Sequence, residues 1–412
     1  MGRRRSACLA GMAVWLVMAS GCSTAGTAHP PSVAHGRTEP PSVSVSATPR
    51  SASSTAPADD EVDFGPNAVS FVSADMGWAL SPGTCRGCGA LATTRDAGRH
   101  WTTVARALRL PGAAQALVEG SIGMYFADPR HGYIYTTGRC STCLLTTSDG
   151  GRTWQPTPLP AVAQLVSSDD TTAGGRRATI YALASRGAPT QPLLYRTIPG
   201  AARWTRLELP TTSSDILLAA QGRSVAVLAT VRLRPGRLWV SVDGGQSWTG
   251  RPLPCRSDGS SAAALSIALG HSSAMLIDCF DNLQSQQAQS TRHHIYGSED
   301  GGRHWTRLGD PPQTGDPALL ADNGAGHAFL ASESGGGDLL ADTLDGGRHW
   351  HKSITTNTAG FFGWSGLRFV SPTTGFIFGP THYATEHLYR TLDGGKSWNK
   401  LPLPRPHKRP TN

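Results

Sequence analysis

The sequence predicts an all-β fold, a seven-bladed β-propeller with four-stranded blades, and three observations predict it. One pattern, apolar-x-x-Thr/Ser-x-Asp-Gly-Gly-x-x-Trp, recurs in intact or nearly intact copies at Asp96/Trp101, Asp149/Trp154, Asp243/Trp248, Asp300/Trp305, Asp345/Trp350 and Asp393/Trp398. A decayed copy at 199–204 has lost the Asp but keeps Leu194, Thr197, Gly200 and Trp204 at the same offsets. The seven tryptophans lie 53, 50, 44, 57, 45 and 48 residues apart, and a period near 50 marks a repeat architecture.

The chain opens with a targeting signal. Arg3, Arg4 and Arg5 form a basic start, residues 9–18 are mostly apolar, and Ala19-Ser20-Gly21 precede Cys22. Such a segment is a secretory signal, too short for a stable membrane span. Small residues before a cysteine resemble the bacterial lipobox, which implies that 1–21 are removed and Cys22 is lipidated. Alanine stands where that pattern usually has leucine, and ordinary cleavage with Cys22 left free is the alternative. An odd free thiol in a secreted chain favours lipidation. The expected location is the extracytoplasmic face of the cell membrane.

Residues 22–65 form the lipidated cysteine and a tether rich in Ser, Thr, Ala and Pro. Residues 23–61 hold no large aromatic, and such a stretch cannot bury enough apolar surface to offset its ordering entropy. The propeller is expected over 66–403, and a disordered tail over 404–412. At this length the domain exceeds the usual single core, but each blade adds a core of its own against its neighbour.

Within a repeat the elements follow from local chemistry. In the last one, Leu367-Arg368-Phe369-Val370 alternates as a strand, Ser371-Pro372-Thr373-Thr374-Gly375 is a turn, and Phe376-Ile377-Phe378 is a second strand. Leu388-Tyr389-Arg390-Thr391 and Trp398-Asn399-Lys400-Leu401 complete four strands, with Asp393-Gly394-Gly395 turning the chain between them. A carboxylate there can accept hydrogen bonds from turn amides, and glycine tolerates positive φ. A second signature, Phe-x5-Gly, joins Phe71 to Gly77, Phe126 to Gly132 and Phe369 to Gly375, in repeats that become neighbours if a ring closes. Blades one and seven can meet without strand exchange; a strand beginning at Val62 and completing blade seven is the alternative.

Eight cysteines include Cys8 in the signal and Cys22. The other six, Cys85, Cys88, Cys140, Cys143, Cys255 and Cys279, are an even count outside the cytoplasm and predict disulfides. Cys85-x-x-Cys88 and Cys140-x-x-Cys143 are placed to close the tips of equivalent hairpins. Cys255 and Cys279 flank one apolar stretch and are expected to join neighbouring strands of a single repeat. Zinc is disfavoured because equivalent positions on adjacent blades lie about 10 Å or more apart. Redox chemistry is disfavoured because neither pair opens a helix. No metal or cofactor is predicted.

These repeats resemble the BNR or Asp-box repeat proteins, written Ser/Thr-x-Asp-x-Gly-x-x-Trp. That group includes sialidases, xyloglucan-cleaving glycosidases, sortilin-type receptors and the photosystem II assembly factor family. Phe-x5-Gly followed by Thr-x-Asp-Gly-Gly-x-x-Trp is most similar to the last, over about residues 66–403. The resemblance implies that the motif Asp residues sit on turns between outer strands, away from the central funnel, as structural devices. A role in photosystem assembly does not transfer with a fold.

Two functions are open. One is a non-catalytic, membrane-anchored propeller that binds or scaffolds an envelope protein or cell-wall glycan, acting as a monomer through the funnel-face loops between second and third strands. The other is a sialidase-like or xyloglucanase-like glycoside hydrolase. Most glycosidases need two carboxylates across the scissile bond. Asp169, Asp170, Asp215, Asp258, Asp278, Asp281, Asp310, Asp316, Asp322 and Glu333 are the acidic candidates, and nothing in the sequence pairs two of them. The Arg-Ile-Pro motif of sialidases is absent; Arg196-Thr197-Ile198-Pro199 belongs to the decayed repeat. No catalytic residue is therefore assigned. His349-x-His351 lacks a third ligand, His293-His294 follows a polar insertion at 282–292, and Gly335-Gly336-Gly337 reads as a hairpin loop. Three arginines of the net charge of +8 lie in the signal, leaving +5, and no basic stripe or nucleic-acid motif accompanies it.

Overall fold

The computed structural model describes residues 66–83, 85, 88–110, 122–136, 144–170, 177–186, 191–231, 234–255, 261–270, 274–282, 292–312, 318–323, 327–334, 337–356, 364, 366–379 and 387–404. Seven four-stranded antiparallel sheets follow one another along the chain and form the ring of a seven-bladed propeller. Blade one holds β1 (Ala68–Phe71), β2 (Gly77–Pro82), β3 (Cys88–Thr94) and β4 (Thr102–Arg109). Blade two holds β5 (Ile122–Phe126), β6 (Gly132–Thr136), β7 (Leu144–Thr147) and β8 (Gln155–Thr157). Blade three holds β9 (Ala161–Asp170), β10 (Arg177–Arg186), β11 (Gln191–Thr197) and β12 (Thr205–Leu207). Blade four holds β13 (Asp215–Gln221), β14 (Ser224–Val231), β15 (Arg234–Ser241) and β16 (Thr249–Arg251). Blade five holds β17 (Ser261–Leu269), β18 (Met275–Asn282), β19 (Arg292–Ser298) and β20 (Thr306–Arg307). Blade six holds β21 (Ala318–Asp322), β22 (Ala328–Ser334), β23 (Gly337–Thr343) and β24 (His351–Thr355). Blade seven holds β25 (Gly366–Phe369), β26 (Gly375–Gly379), β27 (His387–Thr391) and β28 (Asn399–Leu401).

Each sheet is a meander, its strands paired in chain order. The motif turns and the first-to-second turns therefore share one face of the disc. Hairpins between second and third strands, and the links to the next blade, emerge on the opposite face. Backbone bonds tie the two turns of one blade together: Gly150 N donates to Arg130 O, Gly244 N to Arg223 O and Gly394 N to Thr373 O, each at 2.9 Å. The first-to-second turns are closed by short polar side chains. Asp128 Oδ1, for example, accepts from the amides of Arg130 and His131 at 2.7 and 2.9 Å.

The core lies between blades. Trp78, Leu80 and Leu91 of blade one pack on Ile122 and Phe126 of blade two, with the Trp78 and Phe126 rings stacked at 3.7 Å. The Phe-x5-Gly signature has a steric cause. A Cβ at Gly77, Gly132 or Gly375 would lie 2.6, 2.5 or 2.7 Å from the ring of Phe71, Phe126 or Phe369. The phenyl lies flat over the paired glycine, and no other residue leaves it room.

Blades one and seven meet without exchanging a strand. Phe71 stacks on Phe376 at 3.9 Å, among Val370, Phe378, Leu388 and Leu401. Trp101 Nε1 donates to Pro402 O at 3.1 Å, and Arg390 donates to Ala74 O at 2.9 Å. Among the described residues no helix is long and apolar enough to cross a membrane. Cys22, the tether, Cys140, Cys143 and residues 405–412 of the tail lie outside the described residues.

Candidate functional site

The repeated turn is the most frequent polar constellation, and its carboxylates are fully engaged. In blade two, Thr147 Oγ1 donates to Asp149 Oδ1 at 2.8 Å and accepts from Gly151 N at 3.0 Å. The amide of Thr153 donates to Asp149 Oδ1 at 2.9 Å, and its hydroxyl to Oδ2 at 2.6 Å. Ser247 and Ser397 repeat this on Asp243 and Asp393. In blades one, five and six a histidine takes that place: His100, His304 and His349 bring Nδ1 to within 2.5, 2.6 and 2.6 Å of Asp96, Asp300 and Asp345. The His100 amide and ring hold Asp96 down to about 2. Burial works against Asp149, but its Thr153 and Thr147 bonds outweigh it and bring that carboxyl to about 2. Serine hydroxyls lower Asp243, and histidine amides lower Asp300 and Asp345. Such carboxylates are poor proton donors and act as turn anchors.

These turns also link the blades. Trp248, Trp305 and Trp350 donate Nε1–H to Glu208 O, Pro252 O and Leu308 O, at the ends of the preceding blades. The carbonyls of Gly150, Gly244, Gly301 and Gly394 accept in turn from Trp78, Arg196, Arg251 and Asn323 of the preceding blade. Trp154 donates within its own turn, to Gly151 O. Trp204 keeps its place in the decayed turn, edge-on to Tyr133 at 6.0 Å. Trp398 packs edge-on to both Phe329 and Phe369.

The described cysteines lie toward the other face. Cys85 and Cys88 form a disulfide that closes the hairpin between β2 and β3. Cys255 and Cys279 also pair, but they do not join neighbouring strands as the sequence suggests. Cys255 lies beyond β16, on the link from blade four to blade five, and only Cys279 is on a strand. The apolar gap between these blades, with Leu238, Met275 and Ile277, draws that link inward and fixes it by its sulfur.

Most acidic candidates stay apart. Asp215 opens β13, Asp322 closes β21, and Asp310 pairs at the surface with Arg307 and His294. Asp169, Asp170, Asp281 and Glu333 lie on strands by their backbones, while Asp258 and Asp316 fall outside the described residues. Asp278 is different. Its Oδ2 lies 2.9 Å from His293 Nδ1, and both side chains are fully buried. In the sequence His293 merely follows the polar insertion; β19 carries it inward, in a pairing register that nothing in the sequence signals. His349 and His351 do not share a strand, because His349 belongs to the turn.

Burial pushes Asp342 up to about 6, partly offset by His351. The other buried carboxylate of its strand, Asp338, is four residues away, about 13 Å along a strand and beyond the roughly 5–9.5 Å of glycosidase pairs. Near the axis, Arg368 of β25 reaches past blade one to Tyr125 of β5, its guanidinium 4.5 Å from the ring and bonded to the hydroxyl at 2.9 Å. Among the described residues no three His, Cys, Asp or Glu side chains gather where a metal could be held.

The fold has solved counterparts. A structure of YCF48 bound to D1 peptide is similar at 17% identity over 81% of this chain and 94% of that one, with a TM-score of 0.52. YCF48 from Cyanidioschyzon merolae has 17% identity over 68% and 84% of the two chains and a TM-score of 0.41. A GH74 enzyme from Niastella koreensis has 12% identity over 82% and 71%, with a TM-score of 0.32. No protein-family model matches the chain, and no curated protein matches it.

Proposed function

We propose that this chain is a non-catalytic, Asp-box type propeller that displays its hairpin face to an extracytoplasmic partner and is held at the membrane by lipidated Cys22. The observation that carries this reading is the contrast between the faces. The stretch between third and fourth strands spans seven residues in every blade, whereas the hairpins between second and third strands range from two to nine. Uniform turns hold the disc together; hairpins of differing length shape a surface for recognition. A propeller of similar fold and nearly equal extent with a bound peptide supports a protein partner. The engagement of the motif carboxylates in turns supports the non-catalytic reading.

In-cell crosslinking of the full-length protein, followed by affinity capture and mass spectrometry, tests it. The expected result is one specific envelope protein, lost when residues 83–87 are replaced by a two-residue Asn-Gly hairpin. Hydrolysis of wall polysaccharide by the purified protein would overturn the non-catalytic reading. Cys22→Ala should move the protein from the membrane pellet to the soluble fraction; retention in the pellet would refute the lipid anchor.

A further inference from the structure

Three described tryptophans lie outside the repeated motif, and two are consumed by the fold. Trp78 is 1% exposed and bonded to Gly150 O. Trp364 is 4% exposed and bonded to Leu339 O. Trp239 on β15 is half-buried against the core between blades three and four. Its indole N–H makes no hydrogen bond with the described residues and is not sealed from solvent. A buried or interfacial tryptophan normally finds such a partner.

Trp239 lines a shallow, open depression of about 410 Å³ at the surface. The link from β12 to β13 also lines it, through Leu209, Pro210, Thr211 and Thr212. That link crosses the hairpin-bearing face. Arg237, two residues before Trp239, lies on the same side of the strand. It is exposed, lines the depression and has no ion-pair partner among the described residues. Thr211 Oγ1 accepts from Ser213 N at 3.1 Å, which leaves its O–H available to donate.

We propose that this depression binds one carboxylate-bearing pyranose unit of an extracytoplasmic polysaccharide. The indole face covers the apolar C–H face of the ring, its N–H and the threonine hydroxyls meet sugar hydroxyls, and Arg237 takes the carboxylate. The unpaired guanidinium selects an anionic sugar over a neutral one. The site stands apart from the hairpins of blades one and two, so it does not depend on the partner proposed for them.

Full-length protein is titrated with methyl β-D-glucuronide and with methyl β-D-glucoside, following saturation transfer from protein to sugar by NMR. The glucuronide should bind about tenfold more tightly, as expected for one charge-assisted contact. Arg237→Gln, an exposed change that leaves the melting temperature unchanged, should erase that preference, and Trp239→Ala should abolish binding of both sugars. Failure of the glucuronide to bind, equal binding of both sugars, or unaltered preference in Arg237→Gln would overturn the proposal. Tighter binding of an oligoproline peptide, lost in both variants, would also overturn it and assign the depression to a peptide. Replacing residues 83–87 should leave sugar binding intact, which separates this test from that of the hairpin face.

Discussion

Blades two and three are neighbours with the same seven-residue turn, held by different means. In blade two, Asp149 organises the turn, and Gly150 and Gly151 take φ of +78° and +92°. In blade three, Pro199 stands in place of the Asp, and Ala201 in place of the second glycine. Thr197 Oγ1 donates instead to Arg203 O at 2.9 Å, and Ala201 N donates to Ile198 O at 3.0 Å. Only Gly200 keeps a positive φ, of +81°. The tryptophans nonetheless end up alike: Trp154 lies edge-on to Phe126 at 6.1 Å, and Trp204 edge-on to Tyr133 at 6.0 Å. Inside the blade, Phe126 pairs with Gly132, whereas Ser167 pairs with Ile180 at the same register in blade three. The Asp therefore tunes a turn whose length, threonine, one glycine and tryptophan already suffice.

The largest test removes what that comparison takes for granted, the aromatic wedge between blades. Trp78→Ala deletes a buried ring stacked on Phe126 and is expected to cost about 3–5 kcal/mol, seen as a large drop in the denaturation midpoint. A loss no greater than that of a surface substitution would break the view that stability resides between blades. Next, Gly132→Ala forces a Cβ into the Phe126 ring, an overpacking expected to cost about 1–3 kcal/mol. Ile180→Ala at the matching place in blade three opens a cavity instead, at about 2–5 kcal/mol. Calorimetry of the pair should show destabilisation of both by opposite steric causes, and repair of Gly132→Ala by Phe126→Leu.

Asp149→Asn carries a smaller effect, about 1 kcal/mol at most, because solvent screens a carboxylate that is only partly buried. Its folded pKa of about 2 lies below the ordinary 3.8. Its contribution is therefore present above about pH 4 and is lost as pH falls toward about 2. Hydrogen exchange between pH 4 and 2 should accelerate at the Thr153 amide, which donates to Asp149, and stay level, apart from intrinsic chemistry, at the Ala201 amide. Equal acceleration in both turns would show that acid acts globally. The smallest effect is the restoration Pro199→Asp with Ala201→Gly, expected to stabilise blade three by less than about 1 kcal/mol. A loss of stability would mean that the Thr197–Arg203 bond is the better solution for that blade.

Seven blades, their order and the place of each turn were legible because the turn residues recur at fixed offsets. The hairpin disulfide at Cys85 and Cys88 was legible because its partners are three residues apart. Cys255 was misjudged, since a link and a strand edge look alike without the fold to show which is drawn inward. The buried Asp278–His293 pair and the Arg368–Tyr125 contact were invisible. Each joins residues whose approach depends on pairing register or on ring closure.

The sequence by itself determined the repeat, and with it the strand count and the face that bears the uniform turns, because hydrogen bonding within a turn needs only residues a few positions apart. Tertiary structure alone decided how the ring closes, through Phe71 on Phe376 and Trp101 on Pro402, and which side chains gather beside Trp239 at the surface. The ring closure depends on distances between residues more than 300 positions apart, which packing sets and local chemistry does not.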